Sequence, residues 1–261
     1  MKFLVIGDVV GFSGLSKVKE ELPKIVKENN IDAVIVNGEN SAAGKGIRIK
    51  EYDVLDNLNV DVITMGNHIY YRKEMAAEYI NLPKLVLPAN VTNLIKNDYV
   101  IFEKNGVKIG VTNILGTINM FEDTSNLTDA FNKSKEIVNK LKEENCKYIF
   151  VDFHAETTAE KIAMGQYLKG EVTCVFGTHT HVQTADERII DGKTAYITDV
   201  GMTGPKESVL GLKKEIALKR FVDRAYAKYE CSENNAFLNG IIVTTDDDTY
   251  LPIDIKRLNI Q

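Results

Sequence analysis

The chain has 261 residues, 44% hydrophobic and 26% charged, with a formal net charge of -5. That length suits one large α/β domain with a sizeable core, and we read residues 1–261 as a single domain. The acidic balance argues against a generic surface for long nucleic acid or an anionic membrane, but not against a small phosphorylated substrate, because bound cations reverse the local sign.

Cys146, Cys174 and Cys231 are odd in number and lack CxxC spacing, which predicts reduced thiols. The apolar run before Asp8 is too short for a signal peptide, and no run approaches transmembrane length. These features predict a cytoplasmic enzyme with no membrane association.

Phe3 to Ile6 is an apolar run ending at Gly7-Asp8, the pattern of a central parallel strand. Leu15, Val18, Leu22, Ile25 and Val26 then predict a helix from about Ser13 or Ser16 to Asn29, with Pro23 kinking or breaking it. Ala33–Asn37 is a second strand ending at Gly38-Glu39-Asn40. The loop at residues 41–46 reads as a plain turn, since its glycines lack Walker spacing for a phosphate cradle. A short helix over 50–58, a strand from Asp61 to Thr64 and a helix over 72–80 follow.

Pro83 and Pro88 bracket a short strand at 84–87, and Asn105-Gly106 predicts a hairpin between Asn97–Glu103 and Val107–Asn113. Asp123 to Glu144 is helical in pattern, with Asp123, Thr124 and Ser125 as cap candidates. Tyr148 to Phe153 is a strand, and Thr157 and Glu160 have capping-box spacing for the next helix. Val172 to Phe176 is a buried strand, and Asp191-Gly192 predicts a hairpin over 189–197. A helix over 213–224 and two strands, Asn239–Thr245 and Tyr250–Leu258, close the chain. Alternating strands and helices predict parallel pairing and the hairpins add antiparallel pairs, so the fold class is α/β: two stacked mixed β-sheets flanked by helices.

The chain has four histidines, His68, His154, His179 and His181, and each follows an apolar strand-like run. Ligands in open α/β sheets gather outside the carboxyl ends of parallel strands. That rule collects Asp8, Glu39, Asn40, Asn67, His154, His179 and His181 into one crevice. Carboxylate and amide oxygens with imidazole nitrogens, and no thiolate, suit iron, manganese or zinc. Seven donors exceed the demand of one ion and suit two ions sharing a carboxylate, the arrangement of two-metal hydrolytic sites. Each residue taken alone also has a plain structural role open to it: Asp8 as a cap, Glu39 as a solvated acid in a turn, Asn67 as a backbone partner at a strand end. Asp152 and Asp199, also at strand ends, read as acids that orient histidines or stabilise turns.

The order Gly7-Asp8, Gly38-Glu39-Asn40, Gly66-Asn67-His68, His154 and Gly177-Thr178-His179-Thr180-His181 resembles the motif ladder of calcineurin-like metallophosphoesterases, and within them the YmdB branch. The blocks Met1–Gly11, Asn37–Asn40, Thr64–His68, Asp152–Glu156, Gly177–Asp186 and Ala195–Pro205 carry the likeness across nearly the whole chain. The resemblance implies the metallophosphoesterase sandwich fold. It also implies that Asp8, Glu39, Asn40 and His181 hold one divalent ion, that Glu39, Asn67, His154 and His179 hold the other, and that His68 donates a proton.

The implied reaction is hydrolysis of 2′,3′-cyclic nucleotides to 3′-nucleotides by a hydroxide bridging the metals. A phosphomonoesterase or nuclease with the same centre, or a nucleotide-sensing regulator with little turnover, remain alternatives. The family's homo-oligomers leave self-association open. Two departures stand out. Val10 occupies the place of a second histidine common in the superfamily, where Asn40 supplies the missing donor. Tyr70 and Tyr71 stand where the branch tends to carry Trp-Asp.

Overall fold

The computed structural model describes residues 1–92, 97–120 and 124–261. In chain order the first elements are β1 (Lys2–Ile6), α1 (Gly11–Asn29), β2 (Ala33–Asn37), α2 (Ile49–Asn57), β3 (Val62–Thr64), β4 (Leu85–Val86), β5 (Tyr99–Lys104) and β6 (Val107–Leu115). Then come α3 (Ala130–Glu143), β7 (Tyr148–His154), α4 (Thr158–Tyr167), β8 (Cys174–Thr178), β9 (Arg188–Ile190), β10 (Thr194–Ile197), β11 (Gly204–Pro205), α5 (Lys214–Phe221), β12 (Ala236–Thr245) and β13 (Pro252–Ile260).

Among the described residues the strands form two mixed sheets. One runs β11-β12-β1-β2-β3-β4, with β13 paired to β12; the other runs β5-β6-β7-β8-β10-β9. β1 to β4 are mutually parallel, as are β6, β7, β8 and β10, while β12, β13, β5 and β9 add antiparallel edges.

Strands apolar on both faces require cover on both sides, and strand alternation allots each face a separate core. Phe3, Val5 and Ile35 of the first sheet meet Tyr148, Phe150 and Phe176 of the second between the layers. The opposite face of the first sheet, Leu4, Ile6, Val34 and Val36, packs under Val18, Leu22 and Ile25 of α1 and Leu55 of α2. The outer face of the second, Ile149, Val151, Phe153 and Val175, packs under Ile137, Val138 and Leu141 of α3 and Met164 of α4. The expected two-sheet α/β architecture is therefore the one observed.

Several local expectations differ. Helix α1 starts at Gly11 and continues through Pro23 without a break. Pro23 and Lys19, whose carbonyl loses a donor, both lie on the exposed side, where the freed carbonyl is not shut away from solvent. The segment expected as a helix over 72–80 is instead a series of single 3₁₀ turns at Asn67–Tyr70, Lys73–Met75 and Tyr79–Asn81. Tertiary bonds pin it: Arg72 donates to the carbonyls of Lys45 and Ala42, and the Tyr79 hydroxyl donates to Ile69 O at 2.8 Å.

The helix expected from Asp123 starts at Ala130, capped by Asp129, which accepts from Asn132 N at 2.7 Å. Asp123 lies outside the described residues, and Thr124 and Ser125 precede the helix. The capping box at Thr157 and Glu160 does not form. Glu160 reaches instead to Thr117 N at 2.9 Å and Thr117 Oγ1 at 3.2 Å, a tertiary use that outweighs the local one. Helix α5 is shorter than expected, Lys214–Phe221. The Asn105-Gly106 hairpin is present, with both turn residues at positive φ (53° and 76°), as a type I′ turn demands.

Candidate active site

Both sets of parallel strands end on the same edge of the sandwich. β1 delivers Asp8, β2 delivers Glu39 and Asn40, and β3 delivers Asn67 and His68; from the other sheet β7 delivers His154, and the turn after β8 delivers His179 and His181. The structure thus brings together all eight residues singled out in the sequence. Asp8, Glu39 and His154 are fully buried and Asn40 nearly so.

Each of three imidazoles is oriented by an acceptor on its outer side. Thr178 donates its hydroxyl to Asp152 Oδ1 at 2.6 Å, so it accepts from His154 Nδ1 at 2.8 Å. His181 Nδ1 donates to the Leu210 carbonyl at 3.1 Å, and His179 Nε2 faces Glu156 Oε2 at 3.1 Å. These bonds turn the lone pairs of His154 Nε2, His179 Nδ1 and His181 Nε2 inward. Inside, His154 Nε2 lies 3.1 Å from His179 Nδ1 and 3.0 Å from Asn67 Oδ1. On the other side, His181 Nε2 lies 3.8 Å from Asp8 Oδ1 and 3.1 Å from the Asn40 side-chain amide. Asp8 Oδ2 also accepts from His179 N at 3.0 Å, tying β1 to the histidine turn.

Glu39 sits between the two groups. Its Oε1 is buried without an aligned hydrogen-bond donor, although His68 Nδ1 is 2.9 Å away and His154 Nε2 3.3 Å away. Glu39, His154 and His179 place donor atoms within 4.8 Å of one another. At Gly66 there is no room for a side chain: a Cβ would run into Glu39 Oε2 and His154 Nε2. Facing lone pairs, an orphaned carboxylate oxygen and an open cradle are what oxygen- and nitrogen-coordinated cations satisfy, so the residues present fit divalent metal ions.

The electrostatics agree. Burial raises the Asp8 pKa above the ordinary carboxylate value, opposed by His181 and His154. Burial also works against the charge on Glu39, but His154 and His68 outweigh it and hold its pKa low. His154 is likewise penalised by burial, yet Glu39, Asp8 and Asp152 push it up to about 9. Burial and the neighbouring His154 drive His179 down to about 3. Without a metal the adjacent imidazoles therefore carry at most one positive charge between them, the extra proton lying on His154 Nε2 toward His179, and a bound cation would take that proton's place.

Asp152, read from the sequence as an acid that orients a histidine, supports the site, and residues that were not singled out complete it. Asp152 accepts from Thr178, Thr64 and Asn37, the last two at 2.5 and 2.9 Å, which fixes the His154 support. Burial pushes the Asp152 pKa up to about 6. A cavity of about 290 Å³ opens above the cluster, lined by His68, Lys45, Glu156, Leu210 and Tyr229 among others. Lys45 Nζ lies 5.2 Å from the ring centres of both Tyr71 and Tyr229. Glu156 had a weak signal, two residues after His154 on the same strand end; Tyr229 had none, because it arrives from a distant irregular segment. The loop at 41–46 is a turn whose amides are engaged within it, Gly44 N on Asn40 O and Ala42 N on Gly46 O, rather than a phosphate cradle. No helix among the described residues is long and apolar enough to cross a membrane.

The fold and site find counterparts among known proteins. The chain is 41% identical to a 2′,3′-cyclic-nucleotide 2′-phosphodiesterase of Bacillus subtilis, over all of this chain and 97% of that protein. The crystal structure of a phosphatase from Mycoplasma pneumoniae superposes with a TM-score of 0.92 at 39% identity, covering 100% of this chain and 93% of that one. The NAD nucleotidase of Haemophilus influenzae shares the fold alone, with a TM-score of 0.61 at 16% identity over 99% of this chain and 55% of that one. The sequence profile of the YmdB-like proteins matches residues 4–258. With its strand-end donors gathered on one edge and relatives of this kind along its whole length, the chain belongs to the YmdB-like protein family, hydrolases of the metallophosphoesterase type.

Proposed function

We propose that the chain is a two-metal phosphodiesterase that opens 2′,3′-cyclic nucleotides at the 2′ oxygen and releases 3′-nucleotides. The observation that carries this reading is the convergence of His154 and His179 on the buried Glu39 carboxylate, whose Oε1 has no aligned donor, with His181 facing Asp8 beside them. Asp8, Glu39, Asn40 and His181 would hold one ion, and Glu39, Asn67, His154 and His179 the other, with Glu39 shared. When bound, two divalent ions such as iron, manganese or zinc would supply positive charge toward the phosphoryl oxygens and an activated water. Asn40 turns its amide nitrogen toward Asp8 and its oxygen toward His68; a half-turn of the amide exchanges the two and offers the oxygen to the first ion.

His68 binds no ion in this reading. Its ring is partly exposed to the cavity, and its Nδ1 lies 2.9 Å from Asn40 Oδ1. With the Asn40 amide turned, its nitrogen donates to Nδ1, which still anchors that ring nitrogen and leaves the ring proton on Nε2, to be given to the departing ribose oxygen, the task an imidazole performs near neutral pH. The cavity, about 290 Å³, is the size of a small-ligand pocket, which favours a mononucleotide over a long polymer.

Product analysis tests the proposal. The Mn²⁺-loaded protein, offered 2′,3′-cyclic AMP, a 5′-monophosphate and a short RNA, is expected to convert the first to 3′-AMP, with the conversion abolished by Asp8→Ala. Turnover of the monophosphate or RNA instead would make it a phosphomonoesterase or nuclease. Nucleotide binding without turnover, with metal bound, would make it a regulator.

A further inference from the structure

We infer that Lys161 is a positioning residue: through Asp199 it holds the His179-Thr180-His181 turn in the shape that aims both imidazoles inward. Lys161 lies on α4, about 1% exposed, and its Nζ is 2.6 Å from Asp199 Oδ2, a side chain equally buried. Taking two charges out of water is unfavourable, and an apolar pair of similar volume often serves stability as well or better, so packing alone does not account for the pair.

The carboxylate has further contacts. Asp199 Oδ2 also accepts from Thr180 N at 3.1 Å and Thr180 Oγ1 at 2.7 Å, and Oδ1 accepts from Gly201 N at 2.7 Å. Thr180, the residue between the two imidazoles, is thus bonded to Asp199 through both main chain and side chain.

The turn needs such a restraint. His179 has φ 97° and His181 φ 67°, in the left-handed region that residues with a side chain seldom occupy. With the backbone bent this way His179 Nδ1 and His181 Nε2 face the cluster, while Met202 N donating to His181 O at 3.1 Å closes the far side. Gly177 admits the lysine: a Cβ there would stand 2.9 Å from Lys161 Cδ and strike the Thr198 carbonyl. Lys161 balances the charge of the acceptor that holds Thr180, and touches neither metal donors nor the cavity.

The inference rests on the cluster being a metal site and is independent of the substrate. Its test is Mn²⁺ binding by calorimetry and the visible spectrum of the Co²⁺-loaded full chain. Lys161→Met is expected to weaken Mn²⁺ binding about 10–100-fold, the usual effect of losing a group that orients metal ligands, and to change the Co²⁺ bands.

Because that variant strands a buried charge, the double variant Lys161→Met/Asp199→Asn separates stability from positioning. It is expected to regain thermal stability yet keep the weakened Mn²⁺ affinity and altered spectrum. Thr180→Val removes the side-chain bond to Asp199 while keeping the main-chain bond and the ion pair, and is expected to weaken Mn²⁺ binding in the same direction by a smaller factor; if neither lysine variant folds, this one decides. Parent-like affinity and Co²⁺ spectrum in the folded variants would overturn the inference. A parent protein that takes up no Mn²⁺ would instead remove the metal reading, and the inference with it.

Discussion

Nδ1 of His68 lies 2.9 Å from the side-chain oxygen of Asn40, the residue that also borders Asp8 and His181. The orientation of His68 therefore comes from the end of β2, not from the segment that follows it, where Tyr71 stands edge-on with its ring centre 6.3 Å away. The absence of an acid at Tyr70 or Tyr71 does not leave the ring unanchored. Replacing His68 by Ala is expected to lower kcat on 2′,3′-cyclic AMP by about 10²–10⁴-fold, the usual share of a positioned proton donor, with metal content retained. Steady-state kinetics beside metal analysis checks this; unchanged turnover would remove His68 from the proton-donor role.

Gly66 is a backbone position in the site with no room for a side chain. A single methyl there collides with the carboxylate of Glu39 and the ring of His154. Gly66→Ala is expected to keep the fold, since the space it fills belongs to the donor cluster rather than to either sheet core, and to lose metal. Far-UV circular dichroism with elemental analysis reads both; a variant that binds metal as the parent does would mean the cradle is not where the cations sit.

Glu156 is about half exposed and contacts His179 Nε2 at 3.1 Å, the nitrogen that faces away from the cluster. A carboxylate in that position fixes which nitrogen carries the proton and raises the basicity of the other. Glu156→Gln is expected to weaken Mn²⁺ binding by about tenfold, within the range for such supporting groups, with little change in thermal stability. Calorimetric titration measures it, and equal affinity would confine Glu156 to a surface contact.

Lys45 is a cation on the wall of the cavity that also holds the donors, its ammonium near the faces of Tyr71 and Tyr229. An anionic substrate entering that cavity meets it. Lys45→Met is expected to raise KM about tenfold with kcat little changed, the signature of binding energy shared by ground and transition states. A fall in kcat at constant KM would place Lys45 in the reaction rather than in capture.

Much of this arrangement is visible along the chain, because strand-end chemistry is local. An apolar run that stops at Gly-Asp, Gly-Glu-Asn or Gly-Asn-His states both that a buried strand ends and which polar group it delivers. Asp8, Glu39, Asn40, Asn67, His154, His179 and His181 could therefore be assembled from the parallel-strand rule, with His68 added by the family resemblance. Hairpins at Asn105-Gly106 and Asp191-Gly192 were equally legible, since only certain residues take up positive φ.

What the tertiary structure alone decided were the matters in which a distant partner outbids a neighbour. Glu160 carries the spacing of a helix cap, yet it bonds Thr117 across the fold; the segment at 72–80 gives up helix for turns held by Lys45, Ala42 and Ile69. Which nitrogen of each histidine faces inward depends on Thr178, Glu156 and Leu210, and the bend of the histidine turn on Lys161 and Asp199. The physical reason is the same throughout. Side-chain pattern reports the period and end of an element, whereas the direction of a hydrogen bond, the fate of a buried charge and the room beside Gly66 are settled only when elements far apart in sequence are packed against one another.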